Sequence, residues 1–113
     1  MTKIERTMRF SIKVEYARKG YEYGYSHTAV ADGEQGLRVL VRRYRLRDFV
    51  LQIDGNTLWF TTNALTSSMS ALCVLSITGE RNDLDALVDI VSDNLSSSEN
   101  NLNADALVVT ESY

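Results

Sequence analysis

His27 and Cys73 are the residues with which this chain could carry out nucleophilic catalysis, and each residue type occurs once. A Ser–His–Asp or Cys–His site would have to use His27 as its base. His27 lies at the end of an alternating tyrosine run, where a partly buried, hydrogen-bonded strand histidine is the commoner situation. Cys73 lies in an apolar run at residues 71–75, where a thiol behaves as a small hydrophobe. No catalytic residue is predicted.

Three aspartates, Asp85, Asp89 and Asp93, recur at intervals of four residues and would line one side of a helix. A hard cation could bridge two of these carboxylates. Because neither a histidine nor a ligand loop accompanies them, a solvated acidic helix face is the better interpretation. The glycines fit neither the dinucleotide-binding nor the phosphate-loop spacing. The sequence therefore predicts no metal and no cofactor.

A basic segment follows a tyrosine-rich one, and each suggests a ligand. The basic residues are Arg38, Arg42, Arg43, Arg45 and Arg47. Arginines beside aromatic side chains can hold single-stranded RNA. The isoelectric point of about 5.1 means that the chain is negatively charged at neutral pH. A negative protein is repelled by the phosphates of a nucleic acid, which argues against a nucleic-acid partner. RNA binding is therefore the third-ranked hypothesis.

The tyrosine-rich segment supports the second-ranked hypothesis, a small-molecule-binding regulatory domain of ferredoxin-like type. Its candidate ligand-binding residues alternate along one strand: Tyr21, Tyr23, Tyr25 and His27. A sheet edge or a dimer interface around them could form the binding pocket.

Charge is distributed unevenly along the chain. Residues 1–50 contain 11 basic and 6 acidic residues, whereas residues 51–113 contain 1 basic and 9 acidic residues, so the halves carry +5 and −8. Some of these charges can pair within the fold if Arg38 and Arg42 on one helix face Asp85 and Asp89 on another. Exposed pairs of this kind contribute less than about 1 kcal/mol each. The remaining acidic excess can steer association with a basic partner.

The leading hypothesis is a non-enzymatic interaction module that binds a basic protein. Small acidic inhibitors, toxin-immunity proteins and phage anti-defence proteins share this size, charge and lack of catalytic motifs. The expected partner-binding residues are Asp83, Asp85, Asp89, Asp93 and Glu99.

Length and composition indicate one domain of 113 residues with an ordinary apolar content of 44%. No apolar run approaches the roughly 20 residues of a membrane-spanning helix, and the first ten residues lack the apolar stretch of a secretory signal. A single cysteine cannot form an internal disulfide, so a cytoplasmic location is expected. A homodimer is also possible: an exposed Trp59 beside Val39 or Leu46 would indicate a dimer surface.

Alternating apolar residues predict a hairpin of strands at residues 8–17 and 21–29, in which Tyr16 lies opposite Tyr21 and Phe10 opposite His27. A helix is predicted from about residue 34 to 47, although the alternation at residues 44–47 would also fit a strand. Asp32 would cap this helix with Gln35 as its capping partner.

The second half of the chain gives a similar succession of elements. The turn signal at residues 54–56 joins two short strands, and the apolar run at residues 71–78 predicts a central strand buried on both faces. A second helix would be capped by Asn82 and bury a stripe containing Leu84, Leu87 and Leu95. Residues 63–70 and 96–103 are predicted loops, and residues 106–109 a final strand.

The element order β-β-α-β-β-β-α-β predicts an α+β domain with two helices packed on one face of a mainly antiparallel sheet. A variant of the ferredoxin-like arrangement is the nearest common architecture.

Overall fold

A computed structural model describes residues 5–18, 21–62, 71–93 and 102–112. The predicted loops at 63–70 and most of 96–103 lie outside these residues. The elements, in chain order, are β1 (Thr7–Arg18), β2 (Tyr21–Asp32), α1 (Gly33–Tyr44), β3 (Phe49–Asp54), β4 (Thr57–Thr62), β5 (Ala71–Gly79), α2 (Arg81–Ser92) and β6 (Leu107–Ser112). Short 3-10 turns precede β3 (Leu46–Asp48) and β6 (Ala104–Ala106).

The six strands form one antiparallel sheet in the order β3-β4-β5-β1-β2-β6. This confirms the predicted α+β class, with its two helices and antiparallel sheet. The order of the strands in the sheet differs from the ferredoxin-like one. In a ferredoxin-like fold each helix connects parallel strands, whereas α2 connects β5 to β6, and the pairings make these two strands antiparallel to each other.

Both helices pack on one face of the sheet, and the core lies between them. The sheet contributes every second residue, such as Phe10, Ile12 and Ile77, because side chains alternate between faces. The opposite face, here called the open face, is covered by neither helix. The prediction that β5 is buried on both faces is therefore wrong: Leu75 and Ile77 are buried, but Thr78 is exposed on the open face.

The β1–β2 hairpin forms as predicted, but its register is two residues tighter. Arg18 lies opposite Tyr21, Tyr16 opposite Tyr23, and Ile12 opposite His27. A two-residue connection suits the right-handed twist of paired strands better than the predicted four-residue one. A shift of two residues preserves which face each side chain occupies, so Phe10, Ile12 and Val14 of β1 are buried on the face that their alternation predicts.

Helix α1 ends three residues earlier than predicted, because Arg45 adopts a left-handed conformation (φ 52°). The chain reverses there, and Leu46, expected outside the core, becomes fully buried. The expected capping interaction of α1 is also absent. Asp32 makes no side-chain cap bond, and Gln35 Oε1 instead accepts a hydrogen bond from Asn103 N at 3.3 Å.

Helix α2 begins before the predicted cap. Its N-cap is Glu80, so Asn82 lies within the first turn. Leu84 and Leu87 are buried as expected, and Leu95 lies outside the described residues.

Replacement of Arg45 by glycine is expected to stabilise the protein. A left-handed residue other than glycine costs roughly 1–2 kcal/mol, and the added freedom of glycine in the unfolded chain offsets part of the gain. We expect Arg45→Gly to raise the free energy of unfolding by about 0.5 kcal/mol, as measured by urea denaturation. A decrease would show that the Arg45 side chain stabilises the end of the helix.

Candidate functional site

The predicted acidic residues divide between internal ion pairs and an exposed patch. Asp83 is only 7% exposed and accepts a hydrogen bond from Arg6 Nε at 3.1 Å. Arg6 also donates to Asn82 O at 3.1 Å, so it holds the chain before β1 against the first turn of α2. Asp83 occupies the third position of α2, where the helix dipole favours a carboxylate. Asp83 therefore helps to hold α2 against the chain before β1.

Asp93 is also engaged within the fold. Its Oδ2 lies 2.8 Å from Nη2 of Arg38, and the same nitrogen lies 3.2 Å from Oε1 of Glu34. The predicted pairing between the two helices thus exists, but Arg38 contacts the C-cap residue of α2 and not Asp85 or Asp89.

The guanidinium of Arg38 is held in its charged form. Burial tends to lower the pKa of Arg38, but the hydrogen bonds and charges of Asp93 and Glu34 outweigh burial, so the pKa is raised. A raised arginine pKa contributes stability that is lost only in strongly alkaline solution. Deprotonation of Arg38 therefore does not open this contact near neutral pH.

Among the described members of the acidic set, Asp85 and Asp89 are the exposed ones, and they are here called the acidic patch. They lie one turn apart on the outer side of α2. Asp85 Oδ1 is 3.6 Å from Nε of Arg81, an exposed pair of small energetic weight, and no described residue forms an ion pair with Asp89. Glu99 lies outside the described residues. The binding role of these residues stays a prediction.

Two of the five arginines of the basic segment are used to hold α2. Besides the contact of Arg38 with Asp93, Arg47 Nη2 donates to Ile90 O at 2.9 Å. The last turn of α2 has no basic residue of its own. Arginines from the first half of the chain thus supply the cations that the end of a helix favours. Arg42, Arg43 and Arg45 are exposed, so RNA binding would depend on a smaller set than predicted.

His27 lies on the helix-facing side of β2 and is 8% exposed. Its ring centroid is 4.7 Å from that of Tyr25 in an edge-on arrangement and 6.3 Å from that of Tyr44. No described residue forms a hydrogen bond with its Nδ1, so the expected hydrogen-bonded histidine is not found at that atom. The side chains of Tyr21, Tyr23 and Cys73 lie outside the described part of the structure. Ligand binding around His27 stays a prediction.

A groove that the sequence did not indicate lies at the β3–β4 hairpin. It is a shallow depression, largely open to solvent and lined by Gln52, Ile53, Asp54 and Trp59, and it is here called the hairpin groove. Gln52 lies directly opposite Trp59, and Asp54 follows two residues along the same strand. Trp59 is 36% exposed on the open face. The residues 54–56 turn signal could have indicated this register, because a two-residue turn places Gln52 opposite Trp59.

The turn of this hairpin is joined to the acidic patch. Gly55 has a φ of 58°, as the first central residue of a tight hairpin turn requires. Arg81 Nη1 donates to Gly55 O at 3.0 Å while the same side chain faces Asp85. Arg81 therefore lies between the hairpin turn and Asp85 of the acidic patch.

A second groove of about 470 Å³ lies where β1 and β5 meet the start of α2, and it includes Arg9, Glu80 and Asp83. Its charges are mixed, and Asp83 already pairs with Arg6. It offers no net charge to a ligand.

The predicted dimer surface does not form as described, because Leu46 is buried and Val39 packs against the core on the helical side. Trp59 is instead on the open face. Within the described ranges, no three His, Cys, Asp or Glu residues are grouped to hold a metal ion. The described helices are each too short and too polar to cross a membrane.

Comparisons of the chain with protein families, with curated proteins and with solved structures found no match.

Proposed function

We propose that this protein is a non-enzymatic interaction module that binds a basic protein partner through the acidic patch, as a small inhibitor, immunity protein or anti-defence protein would. The observation that carries the proposal is the exposure of Asp85 and Asp89 one turn apart on α2. Other aspartates of the predicted set, Asp83 and Asp93, form contacts within the fold, so Asp85 and Asp89 are the described residues of the set that we propose for partner binding, and Glu99 stays a prediction. A cytoplasmic location belongs to the same proposal, because it rests on the single cysteine.

Electrostatics explains why such a patch favours a basic partner. Two carboxylates on one helix face, in a chain of net charge −3, attract a cationic surface and accelerate encounter with it. Because both side chains are exposed, their contribution must fall as salt is added.

The test compares partner capture by the wild type with capture by the double variant Asp85→Asn, Asp89→Asn, using nuclease-treated lysate of the native host. We expect a basic protein that the wild type retains and that the variant retains at least about tenfold less well. The variant should remain folded, because the exposed Arg81–Asp85 pair contributes less than about 0.5 kcal/mol.

A matched control removes the same charge elsewhere. Asp48 and Asp105 are exposed in the two 3-10 turns, and the double variant Asp48→Asn, Asp105→Asn should retain the partner. Equal loss in both variants would show that net charge matters and the patch does not. Undiminished capture by the patch variant would refute the proposed function.

A further inference from the structure

We propose that the hairpin groove binds the side chain of a lysine or arginine that a basic protein partner presents. The inference rests on the proposed function in taking the partner to be basic. It gives the protein a second surface for binding the partner. That surface contains both a carboxylate, Asp54, and an aromatic side chain, Trp59.

The register of the hairpin brings the necessary groups to one place. Gln52 and Trp59 are directly opposite, so their Cβ atoms lie about 5 Å apart, and Asp54 is a diagonal neighbour within reach of an indole. Gln52, Asp54 and Trp59 share the open face, whereas the side chain of Ile53 points to the other face of the edge strand. The groove thus combines a carboxylate, an amide and an aromatic ring.

A lysine or arginine side chain matches this combination in chemical terms. Its aliphatic stem can lie along the Trp59 ring. Its cationic head can interact with the face of the indole and with the carboxylate of Asp54. An acidic ligand would be repelled by the carboxylate of Asp54. An uncharged apolar ligand would shield that carboxylate from water without giving it a partner.

The nearby basic residues leave the Asp54 charge available. Arg81, which contacts the turn through Gly55 O, also faces the carboxylate of Asp85. On the open face, Ser76 separates Trp59 from Lys13, and the Nζ of Lys13 lies 3.2 Å from Oε1 of Glu15. Each basic group therefore has its own carboxylate, whereas no described residue forms an ion pair with Asp54.

Trp59 makes the proposal directly measurable, because it is the single tryptophan of the chain. The experiment titrates the full-length protein with the blocked tripeptide acetyl-Gly-Lys-Gly-amide, and separately with its arginine form, while the fluorescence of Trp59 is recorded at low salt. Matched peptides with norleucine or glutamate at the central position supply the controls. We expect a saturable change with the lysine and arginine peptides, with a Kd on the order of 1–10 mM for so small a ligand.

Two variants separate this site from the acidic patch. Asp54→Asn should weaken binding of the cationic peptides by about threefold to fivefold, whereas Asp89→Asn, which leaves the Arg81–Asp85 pair intact, should leave it unchanged within about twofold. Asp54 is exposed and its replacement is isosteric, so Asp54→Asn should preserve the fold.

The outcomes that overturn the proposal are distinct from those that overturn the proposed function. No saturable change with the cationic peptides, an equal response to norleucine, or undiminished binding by Asp54→Asn would each exclude a cation site in the groove. Partner capture could still depend on Asp85 and Asp89 in all three cases. Conversely, the groove could bind the cationic peptides while the variant Asp85→Asn, Asp89→Asn captures the partner as well as the wild type does. That result would refute the proposed function and leave the groove proposal standing.

Discussion

Gly36→Ala is expected to lower the free energy of unfolding by about 3 kcal/mol, the upper end of the usual cost of overpacking. A Cβ at this position would lie 2.6 Å from Ala106 O and 2.8 Å from the Cα of Ala31. Both neighbours are backbone atoms of other elements, so the strain cannot be relieved by rotation of a side chain. The helix itself must move away from the sheet.

Intrinsic helix preference alone predicts that Gly36→Ala raises the free energy of unfolding, whereas the close packing predicts that it lowers it. The sign of the measured change therefore distinguishes the two. Alanine is favoured over glycine inside a helix by about 1 kcal/mol, so a helix without this close approach would gain stability. Movement of α1 would also disturb Leu37 and Leu40, which are fully buried beside it. The loss from strain and poorer packing should exceed the gain from propensity.

Urea denaturation followed by far-UV circular dichroism would measure the effect. The control is Arg43→Ala, which places alanine at an exposed position of the same helix and should change stability by less than about 0.5 kcal/mol. If Gly36→Ala proved as stable as the wild type, the close packing of α1 against β2 and the 3-10 turn before β6 would be incorrect.

Local patterns account for most elements of the fold, because they depend on neighbouring residues. Alternation identifies β1 and β2, and the residues 54–56 turn signal identifies the β3–β4 hairpin. The predictions from sequence are wrong where burial depends on contacts with elements that are distant in the chain. An apolar run such as residues 71–78 cannot reveal which of its faces a helix will cover. The burial of Leu46 depends on one left-handed residue, Arg45, that no spacing rule indicates.

The candidate site illustrates the same division. Spacing within α2 correctly groups Asp85 and Asp89 on an exposed face. It cannot show that Asp83 is bound by Arg6, 77 residues away, or that Asp93 is bound by Arg38, 55 residues away. Basic residues of the first half of the chain therefore pair with acidic residues of the second half at both ends of α2. Asp54, Asp85 and Asp89 are among the exposed acidic residues that take no part in these two contacts.

Arg38→Met is expected to lower the free energy of unfolding by about 2 kcal/mol, because it removes the guanidinium that contacts the carboxylates of Glu34 and Asp93. The Arg38 side chain is only 12% exposed, whereas Asp93 is 23% and Glu34 37% exposed. Removing one member of a fully buried pair costs about 3–5 kcal/mol, and partial access of water to both carboxylates reduces that cost. Methionine retains the length of the aliphatic stem, so the measurement reports mainly on the guanidinium.

A double-mutant cycle with Asp93→Asn isolates the contact between the helices from other effects of the Arg38 substitution. We expect a coupling energy of about 1 kcal/mol between Arg38 and Asp93, measured by urea denaturation of the four proteins. Arg43→Met, which removes an exposed charge from the same helix, should cost less than about 0.5 kcal/mol. A coupling energy near zero would mean that this ion pair does not hold α2 against α1. The end of α2 would then depend on the hydrogen bond from Arg47 to Ile90 and on the apolar contacts of Leu87 and Ile90.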